Sequence, residues 1–130
     1  MRIEHIALWT RDLERCRQFY VDYFGAIAGE PYVNSQNGFE SCFLSFADGA
    51  RIELMKSTTL SPVVIECGAQ RMGLTHFAIE LGSLQRVDEL TARLKSDGYA
   101  VIDAPRRTGD GYYESVVLDP EGNRIELCAG

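Results

Sequence analysis

The chain writes nearly the same six residues twice, ARIELM at residues 50–55 and NRIELC at residues 123–128, each time with a glutamate near the centre. Either two surface strands happen to look alike, or the chain is an internal repeat that places a carboxylate in each half. Extending the comparison outward decides between them. At an offset of 71, His5-Ile6-Ala7-Leu8 falls on His76-Phe77-Ala78-Ile79, Asp12 on Ser83 and Leu13 on Leu84. At an offset of 73, Gly25 falls on Gly98, Phe39 on Tyr112, Gly49 on Gly122, and Arg51-Ile52-Glu53-Leu54 on Arg124-Ile125-Glu126-Leu127. A single two-residue insertion near the end of a helix reconciles the two registers. The chain has only two histidines, and they coincide. Chance similarity of short strands does not explain such a register. One domain, residues 1–130, is therefore read as a tandem repeat, with modules at about 1–56 and 72–129 and a linker over 57–71 that contains Ser61-Pro62.

Each half predicts the same elements. Residues 2–9 and 74–81 alternate and are rich in β-formers, as strands are. Asp12 and Ser83 suit helix N-caps, and Gly25 and Gly98 suit the left-handed residue that ends a helix. Leu13, Cys16, Phe19, Tyr20 and Tyr23 recur at helical spacing in the first half, and Leu84, Val87, Leu90 and Leu94 in the second. Three strands follow in each half, over 27–33, 40–47 and 50–56, then over 99–103, 112–119 and 123–128. The last two strands of each half are joined by the tight turns Ala47-Asp48-Gly49 and Asp119-Pro120-Glu121-Gly122. The fold class is α+β, built from two βαβββ modules. A half of that size cannot bury its sheet face alone, so the modules must pair.

Composition narrows the function classes. A formal charge of −6 and a pI near 4.9 argue against a nucleic-acid partner, which needs a basic patch. No apolar run approaches the roughly 20 residues of a membrane span, and no signal-peptide pattern opens the chain, so a cytoplasmic protein is expected. Cys16, Cys42, Cys67 and Cys128 are widely spaced with no Cys-x-x-Cys pair, which favours reduced, mostly buried thiols.

Strand alternation sorts side chains by face. A helix needs an apolar floor, which Ile6, Leu8, Ile52 and Leu54 supply. His5 and Glu53 then share the other face with Ile3, Ala7 and Trp9. The same reasoning puts His76 and Glu126 together, with Phe77, Ile79, Ile125 and Leu127 under the second helix. Any one of the four polar residues is explained by a solvated sheet face. As a set they are not, because the His…Glu pair recurs at separations of 48 and 50 among apolar neighbours. If two curved sheets face each other, these groups meet at a centre. Two imidazoles and two carboxylates are costly to bury there without a cation. A divalent transition metal (Zn, Ni, Co, Fe or Mn) fits the mixed donor set.

These residues resemble the vicinal oxygen chelate superfamily, the glyoxalase, bleomycin resistance protein and dioxygenase family. The likeness rests on His5-Ile6-Ala7-Leu8, His76-Phe77-Ala78-Ile79 and Asp119-Pro120-Glu121-Gly122-Asn123-Arg124-Ile125-Glu126-Leu127. Members similar to glyoxalase I come closest. The resemblance implies paired βαβββ modules with curved mixed sheets around a metal-centred cavity, usually in a homodimer. It implies His5, Glu53, His76 and Glu126 as metal ligands, with Glu126 as the principal base and Glu53 next. The implied activity is that of a lyase or isomerase acting on a small oxygenated substrate through an enediolate-type intermediate stabilised by the metal.

Two departures argue against glutathione. Trp9 stands where glyoxalase I carries a glutathione-binding arginine, and Ser57 where it carries an asparagine. Trp9 reads either as an aromatic wall of the site or as plain core. Arg106, Arg107, Tyr112 and Tyr113, around Gly109-Asp110-Gly111, read as a loop over the site or as an ordinary solvated loop; Arg107 and Tyr112 are the candidate substrate contacts. Within the same superfamily, thiol transferases and ring-cleaving dioxygenases use two histidines and one glutamate, so a fourth ligand at Glu53 weighs against both. A binding module of the bleomycin-sequestering kind lacks the ligands.

Overall fold

The computed structural model describes residues 1–61, 66–70 and 72–130; Pro62 of the expected linker lies outside them. The chain divides into two compact units, Met1–Val64 and Ile65–Gly130. Each repeats the expected element order. The first contains β1 (His5–Trp9), α1 (Leu13–Phe24), β2 (Ile27–Ala28), β3 (Tyr32–Asn34), β4 (Phe39–Ser45) and β5 (Arg51–Ser57). The second contains β6 (Phe77–Glu80), α2 (Leu84–Ser96), β7 (Val101–Arg107), β8 (Tyr113–Leu118) and β9 (Arg124–Ala129). The fold is α+β, with one mixed sheet and one helix per unit.

The helix boundaries follow from local chemistry. Asp12 is extended, and its carboxylate accepts from the Arg15 backbone N–H at 3.0 Å. Ser83 does the same for Arg86 at 3.3 Å. Both satisfy an N–H that the first turn of a helix leaves without a partner. Gly25, at φ 62°, ends α1 in the left-handed region that a side chain disfavours.

In each sheet the first strand pairs in parallel with the last. Ile6 lies beside Ile52 and Leu8 beside Leu54, while Phe77 lies beside Ile125 and Ile79 beside Leu127. The rest is antiparallel, so the orders are β1-β5-β4-β2, with β3 also on β4, and β6-β9-β8-β7. The register places Leu8, Ile52, Leu54, Cys42 and Leu44 under α1, against Cys16, Phe19 and Tyr20, all buried. In the second unit Ile125, Leu127 and Val117 meet Val87 and Leu94. There Thr91 hydrogen-bonds Ser115 at 2.7 Å, a buried polar pair that satisfies itself.

Three expectations need correction. The strand expected over 27–33 is broken into β2 and β3 by Gly29-Glu30-Pro31, where Pro31 has no N–H to offer. Its counterpart β7 runs on to Arg107 instead of ending at 103, because the register shifts between Val101 and Arg106 absorb Pro105 on an edge strand. Leu84, expected on the buried stripe of α2, is 41% exposed, and Thr91 is buried instead.

Candidate functional site

The face of each sheet opposite its helix carries a histidine–glutamate pair. In the first unit His5 Nε2 is 3.8 Å from Glu53 Oε2, and in the second His76 Nε2 is 3.3 Å from Glu126 Oε2. The parallel pairing brings them together: Glu53 sits beside Ala7, two residues along β1 from His5, and Glu126 beside Ala78, two residues from His76. Alternation on the strands fixes both glutamates away from the helices. The glutamate side chains are each 17% exposed and the histidines about twice that, so the imidazoles stand proud of carboxylates recessed in the sheet. At 3.8 Å the His5–Glu53 separation exceeds a hydrogen bond, so nitrogen and oxygen face a shared volume more than each other.

His5 is held from behind. Its Nδ1 contacts Glu4 Oε2 at 2.5 Å, and Glu4 also accepts from Arg51 Nε at 2.8 Å and from the second Arg51 nitrogen. The Arg51 guanidinium lies 4.1 Å over the Phe43 ring, whose edge-on contact with His5 (5.4 Å between centroids) braces the imidazole. The hydrogen bond from His5, together with Arg51, lowers the Glu4 carboxyl below its ordinary range. A carboxylate on the far nitrogen of a histidine is the arrangement that orients metal-ligating imidazoles, leaving Nε2 with its lone pair outward. The donor set thus fits a divalent transition metal. Among the described residues, no group of three or more His, Cys, Asp or Glu side chains is gathered into a metal site. Each unit offers two donors.

Around Glu126 the face is more charged than around Glu53. Glu114 on β8 is raised, by burial first and then by Glu126, and Arg106 balances it at 3.4 Å. Cys128, between Glu80 and Glu114 in the register, is pushed up to about 11 by burial and by Glu80, whose carboxylate accepts from its thiol at 3.7 Å. Sequence reasoning passed over Glu80, Glu114 and Cys128, although strand parity with Glu126 carried the signal.

The other candidates are dispersed. Trp9 is 50% exposed on the His5 face, edge-on to Phe39 at 6.3 Å, so it is not core. Ser57 ends β5, and its hydroxyl bonds Thr59 at 2.9 Å. Arg106 and Arg107 belong to β7, so the expected loop shrinks to the turn at 108–112. Arg107 lies 6.0 Å over the Tyr113 ring, and Tyr113 donates to Asp88 of α2 at 2.7 Å. That contact sets Tyr113 and Arg107 on the helix side, while Arg106 faces Glu114. Tyr112 is 47% exposed, with its ring against Gly130. The cysteines are free, with Cys67 exposed and the other three buried. Among the described residues, no helix is long and apolar enough to cross a membrane.

Two mixed sheets in tandem, each with one helix and a His–Glu pair on the face opposite it, define a class of proteins built from repeated βαβββ modules. The sequence pattern of the Glyoxalase/Bleomycin resistance protein/Dioxygenase superfamily matches residues 2–127, and the chain belongs to that superfamily. An uncharacterised Bacillus subtilis protein, YqjT, is 28% identical over 98% of this chain and 98% of its own length. Among solved structures, the glyoxylase/bleomycin resistance protein/dioxygenase domain from Frankia sp. EAN1pec superposes with a TM-score of 0.82 at 18% identity, over 100% of this chain and 98% of that one. Glyoxalase I from Zea mays superposes at 0.79 and 23% identity, over 99% of this chain. This chain spans 44% of the length of the maize protein. At these identities the structural likeness establishes the fold alone.

Proposed function

We propose that the chain is a metal-dependent lyase or isomerase of glyoxalase type, acting on a small oxygenated substrate and not on a standard glutathione adduct. The observation that carries this reading is the repeated His–Glu pair, with nitrogen and oxygen 3.8 and 3.3 Å apart on the outward face of each sheet. His5, Glu53, His76 and Glu126 are proposed as ligands of one divalent ion, the two pairs coming from one chain or from two copies in a cytoplasmic homodimer. The chemistry such an ion supplies when bound is Lewis-acid polarisation of substrate oxygens. The glutamates do the proton work: Glu126 takes a proton from the carbon beside the polarised oxygen and returns it to the adjacent carbon, with Glu53 as the alternate base. Glu4, through His5, fixes the direction of the imidazole lone pair.

The test is metal analysis of protein purified without chelator, on wild type and on the His5→Ala, His76→Ala double variant. About one divalent ion per set of four ligands is expected in wild type and none in the variant. Full occupancy of the variant overturns the ligand assignment. Sedimentation at micromolar concentration tests the homodimer, which a monomer contradicts.

A further inference from the structure

Two residues beyond the glutamates, and so on the same face, a line of side chains crosses each sheet at right angles to the strands. In the first unit it is Trp9 on β1, Met55 on β5, Ser41 on β4 and Tyr32 on β3, in direct register. In the second unit it is Glu80 on β6, Cys128 on β9, Glu114 on β8 and Arg106 on β7. The repeat offsets put Trp9 on Glu80, Met55 on Cys128 and Ser41 on Glu114. The same scaffold positions therefore accept charge in one unit and carry none in the other. An uncharged row is not imposed by the fold.

We propose that the Trp9–Met55–Tyr32 row is the specificity subsite for a planar, uncharged ring of the substrate, whose adjacent oxygen pair is presented to the His5–Glu53 side. The proposal rests on the functional reading above. Trp9 and Tyr32 are 50% and 56% exposed, and both rest against Phe39, at 6.3 and 6.2 Å between centroids. They are thus braced rings with free faces, and Met55 between them is an adaptable apolar floor. Met55 lies two residues, about 7 Å, along β5 from Glu53 and on the same face, so a ring on the row and oxygens at the His5–Glu53 pair fit within one small molecule. Charge complementarity selects against an anionic arm. Among the described residues that strand register places on this face, Arg51 is the one guanidinium or ammonium group, and Glu4 and Phe43 already engage it.

The test uses two chelators with the same oxygen pair, benzohydroxamate and acetohydroxamate, on protein of measured metal content. The chain has one tryptophan, so its emission and its single indole N–H resonance report Trp9 directly. Benzohydroxamate is expected to bind about tenfold or more tighter than acetohydroxamate and to perturb Trp9. In Trp9→Ala and Trp9→Arg the ratio of the two affinities falls toward one. Equal affinities on metal-loaded wild type, or a ratio that survives both substitutions, overturn the subsite. If wild type holds no metal and binds neither chelator, the metal reading fails instead. The subsite is then judged by 2-naphthol, which needs no metal. A saturable millimolar shift of the indole resonance that 1-propanol does not produce supports it, and no shift overturns it. A Trp9 signal that follows protein concentration and not ring ligand assigns this face to a second copy of the chain and also overturns it.

Discussion

Glu4 and His5 are neighbours in sequence, yet the Glu4 carboxylate turns back to meet His5 Nδ1 at 2.5 Å while also holding Arg51. Outer-shell carboxylates of this kind typically change metal affinity by about 10- to 100-fold. Glu4→Gln is therefore expected to weaken metal binding by about that factor in chelator competition, with the fold intact by circular dichroism. The pH sign follows from the lowered Glu4 carboxyl. Its stabilising charge is present above the ordinary carboxylate range and is lost as pH falls through its lowered value. Metal affinity is therefore expected to fall toward acid. Unchanged affinity in Glu4→Gln would show that the contact is incidental.

Core and surface positions of the second repeat should separate cleanly. Leu127 is fully buried beneath α2, whereas Leu84 at the start of that helix faces outward. Leu127→Ala is expected to cost about 2–5 kcal/mol in urea unfolding. Leu84→Ala should stay within about 0.5 kcal/mol. Comparable losses at both positions would contradict the assigned faces.

The thiols give a second check on the buried layers. Cys128 is pushed up to about 11, so at pH 8 only about one molecule in a thousand carries its thiolate. Cys16 and Cys42 are buried, and Cys67 is exposed. Native protein is expected to release one fast equivalent in a thiol-exchange assay at pH 8, mapping to Cys67, and three more only on denaturation. Fast labelling of Cys128 would mean that its side of β9 is open to reagent.

How far the sequence revealed this arrangement depended on regularity. The two His–Glu pairs were legible because β1, β5 and β9 run without irregularity, so alternation and register carry from residue to residue; the strand expected over 74–81 is shorter, Phe77–Glu80, and His76 stands one residue ahead of it, brought near Glu126 by the Phe77–Ile125 register. Tyr113 and Arg107 were not. Pro105 and the shifts around it disturb the register of β7, and the phenol then pairs with Asp88 on the helix side. Glu4 was missed for a related reason. It lies just before β1 begins, where strand parity no longer dictates direction, and electrostatics with His5 and Arg51 sets its course. The uncharged row through Trp9 needed Tyr32, which belongs to a strand that the sequence placed as one piece and Pro31 divides.

Trp9 at the position of a cation also predicts what the protein handles poorly. A charged contact to a substrate carboxylate contributes about 1.5–3 kcal/mol, which is roughly one to two decades in binding. The hemithioacetal of methylglyoxal and glutathione is expected to turn over slowly, with the deficit chiefly in KM. Efficient lactoylglutathione formation would show that another side chain supplies the anchor. Arg106 is the first to examine, because it faces Glu114 on the Glu126 side of its sheet.

The two glutamates offer the sharpest division between holding a metal and doing chemistry. They occupy equivalent places, equally recessed at 17% exposure, but their neighbours differ. Glu53 lies opposite Phe43, an apolar ring, while Glu126 lies opposite Val116 and near the partly buried carboxyl of Glu114. Glu114 carries the charge conflict of that pair, raised by burial first and then by Glu126, and no such neighbour faces Glu53 across β4. Glu126→Gln is therefore expected to keep its metal, since three ligands remain and the amide oxygen still donates. Turnover should fall by about 10²–10⁴, the usual cost of losing a general base. Glu53→Gln should lose less if one glutamate works on one face of the substrate, and as much if the two pass the proton between them. Turnover and metal content must be measured on the same preparations. A metal-loaded Glu126→Gln protein with near wild-type turnover would transfer the base to Glu53, leaving Glu126 as a ligand only.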